Sequence, residues 1–161
     1  VPDFEADKNF YFDWGADETL RSLLGQAPVP EFATTARAVA PPLAQATVAI
    51  VTTAGLARPG EVWGDQSSEF RVFASDEREI VLAHNSTNFD RTGYAADRNV
   101  AYPIDRLHEM AREGAIGAVA PRHLSFLGST YELSTMRLDT GPRAAQLLRE
   151  DGVDVVLLTP V

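Results

Sequence analysis

Twice along this chain a helical pattern runs into a glycine and then into an apolar strand, and that recurrence restricts the fold more than any other feature. In the first unit Pro103 suits an opening helical turn, and Ile104, Leu107, Met110 and Ala111 share one face. Asp105 stands early, Arg112 late and Gly114 as the stop, and a small-residue strand is expected over residues 115–120. In the second, Pro142 opens a helix with Ala145, Leu147 and Leu148 inward, Gly152 stops it, and residues 153–158 return as a buried strand. Helix, stop and strand in that order is how a chain crosses between parallel strands. The expected fold is α/β: a mostly parallel sheet with flanking helices in an open, Rossmann-like layered architecture.

The strands before the first crossover are shorter. Val48, Ala49, Ile50 and Val51 form a continuous β-prone run closed by Thr52, Thr53, Ala54 and Gly55, which predicts a strand buried on both faces. Residues 70–73 and 80–83 are further candidates, separated by the charged turn 75–79. Residues 1–45 read differently. Phe4, Phe10, Tyr11, Phe12 and Trp14 lie among acids with no period, as an arm. Asp17 is expected to cap a short helix carrying Leu20, Leu23 and Leu24 and ending at Gly25. Pro28, Pro30, Pro41 and Pro42 then break the chain into a leader, for which disordered linker is the alternative. The α/β domain is assigned to residues 46–161.

With 161 residues, 45% of them hydrophobic, one core is the expectation. No apolar run approaches the roughly 20 residues of a membrane helix and no basic-then-apolar leader is seen, so a soluble, cytoplasmic protein is expected. A net charge of −9 with scattered arginines opposes nucleic acid as a partner. The absence of cysteine excludes disulfides, thiolate catalysis and Cys-ligated metal within these residues.

Ligands of open parallel sheets gather beyond the carboxyl ends of the strands, where loops converge. That rule nominates Thr52 and Thr53 after the first strand; His84 and Ser86, leading to Asp90 and Arg91, after the third; His123 and Ser125 after the small-residue strand; and Thr159 after the last. His84 with Asp90 reads either as an oriented acid/base pair or as a strand-end cap whose carboxylate pairs with Arg91 or Arg98. A metal held by His84, Asp90 and His123 is a further alternative, although no recognised ligand spacing is present. Asn99, Tyr102, Pro103, Asp105 and Arg106 either start a helix or line the site. His108 reads as a partly buried packing residue. Gly-x-Ser-x-Gly, Gly-x-Gly-x-x-Gly and Walker patterns are all missing.

Six segments, in order, carry a resemblance. They are Val-Ala-Ile-Val-Thr-Thr-Ala-Gly at 48–55; His84 with Asp-Arg-Thr-Gly at 90–93; Asp-Arg-Asn-Val-Ala-Tyr-Pro-Ile-Asp-Arg-Leu at 97–107; Ile116-Gly117; Pro-Arg-His at 121–123 with Ser-Phe-Leu-Gly at 125–128; and Glu-Asp-Gly-Val-Asp-Val-Val-Leu-Leu-Thr-Pro-Val at 150–161. Together they resemble the component B, or selenoprotein B, branch of the glycine/sarcosine/betaine and D-proline reductase family, over residues 46–161. The resemblance implies reductive cleavage of a carbon–nitrogen bond in an amino-acid-derived substrate within a multi-subunit complex. It also implies a selenol or thiol immediately after the Leu-Leu-Thr-Pro-Val segment, beyond Val161, so the domain is expected to be completed by a continuation or a second chain. His84 would then give the leaving amine its proton, oriented by Asp90. Thr52, Thr53, Ser86, Arg91, Asn99, His123, Ser125 and Thr159 would line the pocket, with no metal and no cofactor within these residues. Two alternatives stand beside this: a non-redox lyase or hydrolase using His84, His123 and Asp90, and a structural subunit docking through its aromatic arm.

Overall fold

A computed structural model of the protein describes residues 19, 22, 25–26, 38–65, 67–86, 91–128, 130 and 133–160. The chain divides into two units, Val1–Ala38 and Val39–Val161. In the first, Thr19, Ser22, Gly25 and Gln26 are helical, and Gln26 Nε2 donates to Ser22 Oγ at 3.2 Å. Gly25 is therefore inside a helix and not its stop; a glycine costs about 1 kcal/mol there, too little to end a helix by itself. The aromatic arm, Asp17 and the three leucines lie outside the described residues.

In chain order the strands of the second unit are β1 (Thr47–Thr52), β2 (Leu56–Ala57), β3 (Phe70–Ala74), β4 (Val81–Leu82), β5 (Ala118–Val119), β6 (Arg122–Phe126) and β7 (Val155–Thr159). The helices are α1 (Thr92–Ala96), α2 (Ile104–Arg112) and α3 (Gly141–Glu150). β1 is the centre. β7 runs parallel along one side of it, from Val48↔Val155 to Thr52↔Thr159. β5 and β6 run parallel, end to end, along the other, and β3 closes the far side antiparallel to β6. β2 and β4 form a small antiparallel pair of their own. The mostly parallel sheet that the crossovers predict is the one that forms.

Its two faces are covered by different helices. Ile104 and Leu107 of α2 pack with Val48, Ile50, Phe73, Tyr102 and Ile116. Ala144 and Leu148 of α3 pack with Val51, Leu124 and Phe126 on the other face. Gly114 (φ 75°) and Gly152 (φ 66°) follow the two helices as the expected stops.

Several expectations are corrected. Met110 is 37% exposed; at 3.6 residues per turn it lies about 60° beyond the arc of Ile104, Leu107 and Ala111. The helical path into α3 begins at Ser134, not Pro142, through one wide turn, Met136–Thr140, in which Gly141 N–H reaches Met136 C=O. Proline lacks an N–H and its ring presses on the carbonyl four residues back, and the wide turn relieves both. The small-residue strand shrinks to Ala118–Val119, and residues 122–126, expected as loop, are a central strand. Their alternation is disguised because His123 and Ser125, the polar members, are fully buried. Finally, β7 is not enclosed by the described residues: Val156, Leu157 and Leu158 are 37%, 39% and 68% exposed, because among those residues β7 pairs with β1 alone.

Candidate functional site

β1 advances three residues, Val48 to Val51, while its neighbour advances five, Val119 to Leu124, so two extra residues bulge between β5 and β6. Pro121, without an N–H, sits in that bulge. The ladder partner of Ile50 is replaced by a side chain: Ile50 N–H donates to His123 Nδ1 at 3.0 Å. His123 is fully buried and edge-on to Tyr102, with centroids 5.8 Å apart. Burial, then the nearby His108, pushes its pKa down to about 4, so the imidazole is neutral with its proton on Nε2. Among the described residues, neither His123 Nε2 nor the buried Tyr102 hydroxyl has a hydrogen-bond partner.

At the carboxyl ends of the strands, register places Ser125 on one side of Thr52 and Thr159 on the other. This is a row of three hydroxyls across three parallel strands. Thr52 Oγ1 donates to Thr159 C=O at 3.1 Å and accepts from Ala54 N–H at 3.2 Å. Ser125 Oγ accepts from Leu56 N–H at 2.9 Å and donates to Phe126 C=O at 3.3 Å. Thr159 Oγ1 donates to Ala101 C=O at 2.9 Å. Thr53 N–H also reaches Thr159 C=O, at 3.3 Å. The row braces the loops that leave the strands, and so fixes the rim of the site.

His84 stands beside that rim. Gly55 has φ +62°, and a Cβ there would come 3.1 Å from His84 Cα and 3.0 Å from Leu127 Cδ1, so only glycine lets the chain turn so close. His84 is buried, and its Nδ1 accepts from Ser86 N–H at 3.1 Å. Arg91 Nη2 donates to the carbonyls of His84, at 2.6 Å, and Ser86, at 3.3 Å. Burial first, and the Arg91 charge second, lower the His84 pKa. Asp90 lies outside the described residues.

The remaining nominated residues do not join this group. Asn99 sits at the start of α2, where its Oδ1 accepts from Asp105 N–H at 3.1 Å and its Nδ2 donates to Asp97 at 2.8 Å and Asp105 at 3.2 Å. Arg98 holds Asp105 through two nitrogens, which is the helix-initiation reading. His108 Nε2 meets Ser75 C=O at 3.0 Å and is half-buried, in keeping with packing. Among the described residues no three His, Asp or Glu stand together as a metal site. A cleft lined by Arg58, Pro59, Glu77, Arg78 and Glu79 lies beside the turn after β3. The Ala74↔Arg122 register puts that turn at the amino end of β6, opposite Ser125. Gly55, read from the sequence as the close of the first strand, meets His84 at the rim, and Tyr102, read as helix start or site lining, is buried edge-on to His123. The only sequence signal for Gly55 is a glycine directly after a strand.

No helix of the described residues is long and apolar enough to cross a membrane. No solved structure matches the chain. It is 36% identical over 119 residues to D-proline reductase subunit gamma of Acetoanaerobium sticklandii, covering 70% of this chain and 48% of that protein. It is 26% identical over 124 residues to sarcosine reductase complex component B subunit beta, and 29% over 125 to betaine reductase complex component B subunit beta, both of Peptoclostridium acidaminophilum. Each of those matches covers 73% of this chain and 28% of the relative, so the chain spans about half the length, or less, of these proteins. The family model for glycine/sarcosine/betaine reductase selenoprotein B matches residues 23–161, and the chain belongs to that family.

Proposed function

We propose that this chain supplies the substrate pocket of a reductase that cleaves a carbon–nitrogen bond in a small amino-acid derivative of the glycine, sarcosine, betaine or D-proline type, working with other subunits. The observation that carries this is the register of β7. Thr159 lies beside Thr52 and is tied to it and to Thr53, so β7 ends at the same end of the sheet as β1, whose exit leads to Gly55 beside His84. A selenol or thiol following the Leu-Leu-Thr-Pro-Val segment would therefore face this pocket. Attack at the carbon releases the nitrogen with its bonding electron pair; an amine of the glycine, sarcosine or D-proline type takes a proton as it leaves, whereas a quaternary nitrogen of the betaine type leaves neutral without one. His84 is the group we assign to that proton, with Asp90 as its orienting carboxylate. Because the His84 pKa is lowered, its protonated form grows only below the ordinary imidazole range. A general-acid role then gives turnover that falls as pH rises through a value under 6.5.

The test is amine release by the native assembly carrying His84→Ala, followed across that pH range with glycine, sarcosine and D-proline. A loss of about 100-fold or more, with the falling limb abolished, is expected. Unchanged turnover at every pH would remove His84 from the reaction.

A further inference from the structure

We infer that Ser125 is a positioning residue for His84: its hydroxyl ties the small β2–β4 sheet, from which His84 leaves, to the main sheet, and so sets where His84 stands at the rim. This rests on the proposed function, in which His84 gives the proton. Three observations lead to it. The first is the small sheet's need of an outside anchor. β2 and β4 pair over two residues each, Leu56↔Leu82 and Ala57↔Val81, and among the described residues neither shares a ladder with the main sheet. A pair that short holds no position by itself. Leu56 packs in the core, but apolar packing is non-directional, so the orientation of the pair falls to hydrogen bonds. His84 follows β4 after Ala83 alone, and takes its place from that orientation.

The second is a single peptide group. Gly55 C=O and Leu56 N–H belong to one planar unit, so turning one turns the other. On one side Leu56 N–H donates to Ser125 Oγ at 2.9 Å. On the other, Gly55 C=O accepts from Ala83 N–H at 3.0 Å. The path from Ser125 to the residue before His84 is therefore two hydrogen bonds across one rigid plane. Glycine resists rotation of that plane less than any other residue, so its direction is set by the bonds at its two ends.

The third is how the Ser125 hydroxyl is used. Ser125 is fully buried, and it donates its one proton to Phe126 C=O at 3.3 Å, a carbonyl that also accepts from Gly55 N–H at 2.9 Å. Donor and acceptor are thus both engaged in holding the turn at Gly55 and Leu56, which is the pattern of a brace and not of a group offered to a ligand. β6 does the same two residues earlier, where His123 Nδ1 takes Ile50 N–H. The Thr52 hydroxyl, beside Ser125 in register, serves Ala54 N–H and Thr159 C=O instead. Ser125 is the member of the row that holds the peptide leading to His84.

Ser125→Ala in the native assembly leaves Leu56 N–H without its acceptor, and the expected signs lie at His84. The Ala83 amide should exchange at least about tenfold faster. The His84 imidazole, loosened from the burial that lowers its pKa, should titrate closer to 6.5. Displacing the proton donor should lower kcat about 10- to 100-fold, with KM held within about twofold because Ser125 does not touch substrate. Ser125→Thr, which keeps the hydroxyl, should restore all of these. Should alanine fail to fold, Ser125→Cys, a weaker acceptor, should give the same pattern at smaller size. Ala144→Gly loosens α3 against Leu124 and Phe126, outside the core that holds Leu56, and serves as the merely weakened fold: it should lower Tm and leave the His84 titration unchanged. An unmoved Ala83 amide and His84 titration in Ser125→Ala, equal shifts in Ala144→Gly, or a folded threonine variant that behaves as alanine overturns the inference. A raised KM at unchanged kcat would make Ser125 a substrate contact and overturn it as well. Exchange and titration are read without turnover. If Ser125→Ala moves both while His84→Ala works at every pH, the proposed function fails alone; if His84→Ala is inactive while Ser125→Ala moves neither, this inference fails alone.

Discussion

Two buried histidines border β1, His123 at Ile50 and His84 at Gly55, and they are held in different ways. Both have lowered pKa values with burial as the leading cause, and in both Nδ1 accepts a backbone N–H. The donor differs. For His123 it is Ile50, within the central strand, so the ring replaces a ladder carbonyl and any movement breaks the sheet. For His84 it is Ser86, two residues on in the same loop, so the ring is held by a local turn next to the strand ends. Burial and a shifted pKa are common to a structural and a candidate reacting imidazole; what the ring's acceptor atom is bonded to separates them.

The largest expected effect is at His123. Replacing it by alanine leaves Ile50 N–H buried without a partner, about 1–3 kcal/mol, and opens a cavity beside Tyr102. A loss of about 3–4 kcal/mol is expected, read as a lower urea midpoint at unchanged slope. A loss under about 1 kcal/mol would mean that the strand closes without the imidazole, and the contrast with His84 would fail.

Acid gives the next effect, about 3 kcal/mol, through the same residue. His123 titrates near 4 in the fold against an ordinary 6.5, so between those values the unfolded chain binds the extra proton. Its contribution to stability is complete above pH 6.5, declines as pH falls, and is fully lost near pH 4. Urea unfolding of the wild type and His123→Ala across this window should show a steeper pH dependence in the wild type. Parallel curves would show that His123 is not the group responsible.

The same contrast explains what could be read from the sequence. β1, α2, α3 and the crossover logic are legible because their apolar residues repeat at local spacings. β6 is hidden because its inward side chains include a histidine and a serine, whose burial depends on Ile50 N–H and Leu56 N–H as donors 73 and 69 residues away. The exposure of β7 is hidden for the complementary reason: Val-Val-Leu-Leu reads as interior, and only its pairing with a single neighbour exposes it. At the strand ends, register sets Thr52, Ser125 and Thr159 side by side, although the Thr52–Thr159 contact spans 107 residues. The strand-end rule puts His123 there too, when it lies inside the sheet. Asn99 is nominated by its polar surroundings, yet those surroundings are a helix start.

Gly55→Ala is the smallest perturbation and sharpens the comparison from the His84 side. The added methyl meets two obstacles: a left-handed backbone, φ +62°, and atoms of His84 and Leu127 at 3.0–3.3 Å. The first costs about 1–2 kcal/mol, and the second requires the chain at His84 to move by a few tenths of an ångström. Ala83 N–H donates to Gly55 C=O at 3.0 Å, so that movement is transmitted along the backbone into the His84 turn. His123 keeps a separate donor, Ile50 N–H, five residues earlier in the chain. The expected outcome is a modest stability loss of about 1–2 kcal/mol, a changed imidazole NMR signal for His84 and an unchanged one for His123. If both signals move together, the rim and the strand are one mechanical unit, and the two histidines cannot be assigned separate duties.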